Sequence, residues 1–463
     1  MTKNLHKKSS DVHNRNKQNN REETKMKKII ALVCIAVLCC VGLTSCRSGN
    51  GEGAVYYLNF KPEQDAAWKK LAKQYTQQTG TKVTVVTAAS GQYEDTLSAE
   101  IVKSNAPTLF QVNGPVGLAG WKDYCYDLTD TALVQALSDK DFTLTDDGRV
   151  LAVSYVLETY GLLYNKTLLE RYFALEGAKI TSLDQVNNFA SFQVLAEDLQ
   201  ARKEELGIEG AFTSAGMDAS SDWRFKTHLA NLPLYYEFQQ TGDFAPATVE
   251  GKYLREYRQI WDLYLNNATC PPTAIGAKTA EDALNEFNNG KAVFYQNGTW
   301  AWGEEMKTKL GEEQVGMMPV YIGADGEEAQ GLCTGSENYW CVNKNASEAD
   351  RTATLAFLEW LVTSAEGASA LAEMGFVTPF KNAVPATDPL NRIAEGYLSS
   401  GRKAVAWCFT AIPSDTWKDG VGAALLAYAQ GGQTDALWQR VETAFTDGWK
   451  SAYDAAHGEG KGQ

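Results

Sequence analysis

The sequence predicts an α/β fold of more than one lobe. Its 463 residues exceed what one ordinary core accommodates. Strand-like and helical segments alternate from residue 54 onward, and the strands are spread over the whole length. A β-sandwich or a helical bundle has neither property.

Residues 54–60 (AVYYLNF) read as a buried strand. Pro62 suits the first turn of a following helix, in which Trp68, Leu71 and Tyr75 share one face and Gly80 is placed to end it. The short β-branched run 82–86 predicts a second strand, 93–104 a helix through Leu97 and Ile101, and 108–112 a third strand. That order predicts a parallel sheet, and ligands of such sheets sit at the carboxyl ends of the strands. The loops at 59–63, 89–93 and 112–114 are therefore candidate site loops. Residues 144–155 predict a hairpin turning at Asp147-Gly148. Residues 160–166 (YGLLYNK) lead into mostly helical sequence through 220–229. A helix over 281–288, a turn at Asn289-Gly290 and a strand over 291–295 follow. Residues 351–363 are amphipathic, and 421–429 and 435–449 predict the closing helices.

Ahead of this body, Met26-Lys27-Lys28 supplies a positive start, 29–43 an apolar run and Thr44-Ser45 a small-residue cleavage site. The run is shorter than the roughly 20 residues a bilayer core needs. Removal of 1–45 as a signal, with Met26 as the start, is thus favoured over a retained anchor. Cys46 resembles the acylated cysteine of bacterial lipoproteins. The resemblance implies a body tied by lipid to the extracellular face of the cell membrane, with 46–53 as tether and 453–463 as tail.

Without residues 1–45 the chain carries 34 basic and 54 acidic side chains, a formal charge near −20. Such a surface repels phosphate backbones, so nucleic acid is not an expected partner. Only His228 and His457 remain, and no Cys-x-x-Cys or His-x-x-Glu-His pattern occurs, so neither a metal, a cofactor nor a Ser-His-Asp site is expected. No dinucleotide or phosphate loop is recognisable, and no carboxylate spacing singles out a glycosidase pair. Five cysteines (Cys125, Cys270, Cys333, Cys341, Cys408) do not read as a disulfide framework, with buried thiols favoured over a Cys333–Cys341 pair.

Residues 287–300 (FNNGKAVFYQNGTW) resemble the F-x-x-G-K-A…G-x-W segment of the family 1 extracellular solute-binding proteins, the sugar receptors of ABC importers. Further landmarks follow that family's order. They are 106–110 (APTLF, with Thr108 for the usual aspartate), 147–150 (DGRV) with 160–166, 316–319 (GMMP), 370–379, and 414–417 (SDTW) with 431–434 (GGQT). The resemblance implies a two-lobed periplasmic-binding-protein-like fold (type II) with hinge crossover strands. One lobe would comprise 54–155 plus 320–375 and the other 156–319 plus 376–452, with crossovers near 154–160, 318–321 and 374–379. It implies a monomer that closes on a carbohydrate, an oligosaccharide by preference, and delivers it to ABC permease subunits without catalysis. Rival readings are a receptor for a peptide or polyamine, a surface sugar-degrading enzyme and an adhesive lipoprotein.

Sugar rings stack their C–H faces on aromatic side chains and pair their hydroxyls with carboxylates and amides. By correspondence with the maltodextrin-binding members, Trp300, Trp417 and Trp223 are expected stacking rings and Glu158 a hydroxyl-binding carboxylate. Trp340, Trp407, Tyr339 and Glu337 are further candidates. Asn59, Asn113 and Tyr93 are added because they end or follow strands facing the expected cleft. Lys61 and Glu63 are expected to be solvated rather than ligand-facing, and Trp68, Trp261, Trp360, Trp438 and Trp449 to be core.

Overall fold

Two mixed sheets hold the strands of the described residues, and the sequence pattern explains the first of them. The computed structural model describes residues 53–408 and 411–458; the expected signal segment and Cys46 lie outside these. Strand β1 (Val55–Asn59) runs parallel between β2 (Val83–Thr87) and β3 (Leu109–Asn113). The helix Asp65–Thr79 crosses between β1 and β2 and buries Trp68, Leu71 and Tyr75. Gly80 ends it at φ +81°, a conformation that a β-carbon disfavours. Strands β4 (Thr143–Asp146) and β5 (Arg149–Ser154) form the expected hairpin, with Asp147 and Gly148 at φ +50° and +76°. Thr108 accepts the Tyr56 N–H (3.1 Å) and the Thr354 hydroxyl (2.8 Å), joining β1 to the helix Glu348–Thr363.

The second sheet is organised by β6 (Glu158–Asn165). Strand β7 (Gly210–Phe212) lies parallel to β8 (Ala292–Gly298), which is antiparallel to β6. On the other edge of β6, β9 (Val315–Met318) pairs with its far half and β10 (Gln330–Gly335) with its near half. The helices Asp415–Gln430 and Asp435–Gly458 pack together over the core of this lobe.

Strand β11 (Asn338–Val342) returns to the first sheet and lies antiparallel between β3 and β5, while β12 (Lys403–Ala406) pairs with β10. The chain passes from one sheet to the other between Ser154 and Glu158 and back between Gly335 and Asn338. The two crossings are joined by the Ser154 and Ser336 hydroxyls (2.6 Å) and by Ser336 donating to the Val156 carbonyl (2.9 Å). The Val377 carbonyl accepts the Leu157 N–H beside them (2.7 Å).

Two expectations are corrected. The first is that residues from 376 onward join the second lobe: Phe376 and Phe380 pack in the first-lobe core and Phe380 bridges to Leu137, so the last passage, toward β12, follows them. The second is the return crossing, which lies at Ser336 and Glu337, not at 318–321. Residues 320–335 stay with the second lobe because Val320 and Ile322 fill its core. The Glu327 carboxylate also accepts the N–H groups of Phe189, Ile322 and Gly323 at 2.6–2.8 Å, binding the segment to that lobe. Cys333 and Cys341 consequently belong to different sheets, and both are free, buried thiols.

Candidate functional site

The ends of β1 and β3 and the crossings between the sheets converge on a cavity of about 400 Å³ between the lobes. On the first-lobe side, β1 ends in a tight loop that Asn59 fixes, its amide bonding the Lys61 N–H and carbonyl (3.1 and 2.8 Å). The loop sends Lys61 into the cleft, only 4% exposed, where its ammonium meets Glu158 at 2.7 Å. Burial pulls the Lys61 pKa down, but Glu158, Glu63 and Glu337 outweigh it and hold the group above its ordinary value. Asn338, at the start of β11, donates to the other Glu158 oxygen (2.9 Å). Asn113, at the end of β3, and Glu337, in the return crossing, complete this wall. Burial raises the Glu337 pKa, with Lys418 opposing and Glu158 and Asp415 reinforcing the shift.

The second-lobe wall is aromatic. Residues Arg224–Leu229 wind in wide turns, the Ala230 N–H reaching back to the Phe225 carbonyl, and this segment directs Lys226, Thr227 and His228 to the cavity. Trp223, just before it, lies over the Arg224 guanidinium (4.2 Å) and donates to the Ser220 carbonyl (3.0 Å). Arg224 is in turn held by the Gln296 carbonyl and the Tyr295 hydroxyl. The Trp300 ring lies 6.0 Å from Trp223 and 6.4 Å from Trp407. His228 lies among all three tryptophans and stacks at 4.4 Å on Tyr160. Burial, reinforced by Arg224, Lys418 and Lys61, depresses the His228 pKa well below its ordinary value. The glycine of the N-G-x-W motif has a spatial reason: a β-carbon on Gly298 would stand 2.2 Å from the Trp300 ring.

Charge pairs rim the cavity. Lys226 bonds Asp222 (2.7 Å) and Asp419 (2.9 Å), and Lys418 bonds Asp415 (3.0 Å). At one edge the lobes touch: Gly91, at φ +72°, approaches the Ala219 carbonyl so closely that a β-carbon would lie 2.2 Å from its oxygen. The Ser90 hydroxyl donates to the Ser220 carbonyl beside it (3.5 Å).

Of the residues expected from sequence, Trp300, Trp223, Trp407, Glu158, Asn113 and Glu337 line the cavity together, and Tyr93 borders it. Tyr93 is mainly a structural tie, its hydroxyl accepting the Gln111 N–H (2.7 Å). Four others are elsewhere. Trp417 is 2% exposed, donates to the Phe445 carbonyl (2.8 Å) and meets Phe445 and Trp449 edge-on. Its helix does reach the cleft, through Asp415, Lys418 and Asp419; at about 100° per residue Trp417 falls on the opposite face. Trp340 stacks on Tyr155 (4.4 Å) in the first-lobe core, and Tyr339 packs into the core on the other side of the sheet. Asn59 shapes the Lys61 loop from beneath. Lys61 itself, expected to be solvated, is buried and faces the cavity, as do Asn338 and His228, which sequence reasoning missed. Asn338 lies between Glu337 and Tyr339, both of which the sequence offered as candidates. The loop ending β1 was recognisable as a site loop, but the inward turn of Lys61 depends on Glu158, 97 residues away.

Among the described residues no group of His, Cys, Asp or Glu is arranged to hold a metal ion, and no helix is long and apolar enough to cross a membrane. The profile of the family described as "bacterial extracellular solute-binding protein" matches residues 70–395. A multiple sugar-binding protein of Streptococcus mutans is 23% identical over 283 residues, 59% of this chain and 63% of that protein's length. Among solved structures, a chitin oligosaccharide binding protein superposes with a TM-score of 0.67 at 17% identity, covering 87% of this chain and all of the other. The raffinose complex of the solute-binding protein RafE gives 0.66 at 14%, covering 86% and 99%. At these identities the superpositions establish the fold.

Proposed function

This chain belongs to the bacterial extracellular solute-binding proteins, and from that premise we propose that it is the carbohydrate receptor of an ABC importer. The observation that carries the reading is a cleft with indole and imidazole rings on one wall, carboxylate, amide and ammonium groups on the other, and ion pairs of the second lobe along its rim. That pairing matches a pyranose, whose C–H face stacks on rings while its edge hydroxyls hydrogen-bond. Trp223, Trp300 and Trp407 would stack, and Glu158, Asn113, Asn338, Glu337 and Lys61 would bind hydroxyls. An unpaired polar group sealed in the closed cleft costs about 1–3 kcal/mol, which gives such a wall its selectivity.

Binding, hinge closure and presentation to permease subunits make up the proposed cycle. The adjacent crossings, with Glu337 in one of them, link ligand contact to the hinge. No turnover is proposed, in keeping with relatives whose names are those of binding proteins. Both walls come from one chain, which supports action as a monomer. Acylated Cys46 would tether the protein to the outer face of the membrane, so Cys46→Ser should move it into the soluble fraction. Signal cleavage with unchanged membrane association would sink that part.

The test of the reading is a thermal-shift screen of the purified protein against mono- and oligosaccharides, with amino acids, peptides and polyamines as controls. A ligand at 100 times its Kd adds about 2.7 kcal/mol, a shift of a few degrees for a chain of this size. Shifts confined to the control compounds would refute the carbohydrate reading.

A further inference from the structure

The polar groups of the cleft are unevenly engaged. Its three lining lysines are already held by carboxylates: Lys61 by Glu158, Lys226 by Asp222 and Asp419, and Lys418 by Asp415. The acceptors are not similarly satisfied. Asn338 Oδ1 has no hydrogen-bond partner among the described residues although the residue is 2% exposed and borders the cavity, and Oδ1 of the half-buried Asn113 also lacks one. The Glu337 carboxylate, half-buried at the cavity, has neither a hydrogen bond nor an ion pair with any described residue. Among the described residues Glu94 accepts only the neutral indole N–H of Trp121 (2.8 Å). Eight carboxylates line the cavity against three ammonium groups.

We infer that the cleft is built for a sugar bearing a protonated amine, an inference that rests on the carbohydrate reading above. A neutral sugar hydroxyl can donate to Asn338 or Glu337 but leaves the excess negative charge unmet. A uronate or sugar phosphate adds acceptors to a wall already short of donors, and its charge is repelled. An ammonium brings three donors and a positive charge, and its hydrogen bonds to carboxylates are about twice as strong as neutral ones. The rings opposite tolerate it, since indole faces attract cations.

The decisive experiment offers the cleft all charge classes at once. The protein, unfolded and refolded to strip bound ligand, is dialysed against equimolar hydrolysates of starch, cellulose, chitosan, chitin and pectin, with spermidine added. Retained molecules are identified by mass spectrometry. Chitosan and chitin oligomers share a backbone, and acetylation removes the charge. We expect free-amine oligomers to be enriched about tenfold over their N-acetyl counterparts, with the enrichment shrinking in about 0.5 M salt. Glu337→Gln should lower retention of the amine more than that of the neutral sugars. Equal retention of amine and N-acetyl forms, or preference for neutral or uronate oligomers, overturns the inference and leaves the carbohydrate reading standing. Retention of spermidine alone, or of nothing, overturns both.

Discussion

The second lobe contains two tryptophan clusters made of the same chemistry and put to opposite uses. Around Trp417, each ring is enclosed: Phe445 and Trp449 meet it edge-on and a main-chain carbonyl takes its N–H. Around Trp300, the rings stand 6.0–6.4 Å apart with the cavity between them and the other lobe, and Trp223 is backed by a guanidinium rather than by aliphatic side chains. What separates a stacking platform from a core residue is therefore what covers the second face of the ring. Residue type and motif membership do not reveal that.

The comparison can be broken at three strengths. The largest effect is expected from Trp417→Ala, which should lower folding stability by about 3–5 kcal/mol in urea titrations while the remaining folded protein binds its sugar with unchanged affinity. Trp300→Ala should do the reverse, weakening sugar binding by about 2 kcal/mol, roughly 30-fold in Kd by calorimetry, with little change in stability. A drop in stability without loss of affinity would move Trp300 into the core class. The smallest effect concerns His228, which joins the open cluster to Tyr160. The native protein keeps it neutral, whereas the unfolded chain protonates it below about pH 6.5. Its contribution is therefore complete above that pH and declines by about 1.4 kcal/mol per unit as the pH falls through it. Between pH 7 and 5, His228→Gln should show a flatter urea midpoint than the parent protein; parallel curves would mean that the ring is protonated in the native cleft.

Much of the architecture was legible because its signals are local. The helix after β1, its glycine stop and the Asp147-Gly148 turn depend on residues within a few positions of each other. Trp300 and Trp223 were also within reach, since the first ends a spaced motif containing the glycine its ring folds over. What escaped depends on distant partners. Residues 320–335 remain with the second lobe through Glu327 and its three N–H donors, contacts that no local pattern encodes. Lys61 turns inward for a carboxylate that only the crossing delivers. Trp417 lies on a helix that does border the cleft, so the segment was right and the face was wrong.

The spacing of Trp223, Trp300 and Trp407 also gives the molecule an optical readout. Indoles this close couple their ultraviolet transitions, so the trio should contribute an exciton couplet to the circular dichroism spectrum and share its emission. A ring stacked on their cavity-facing side would displace solvent and alter both signals, while Trp68, Trp261, Trp340, Trp417 and Trp449, sealed in the cores, supply a constant background. Occupancy of the cleft could then be followed in real time without any attached dye.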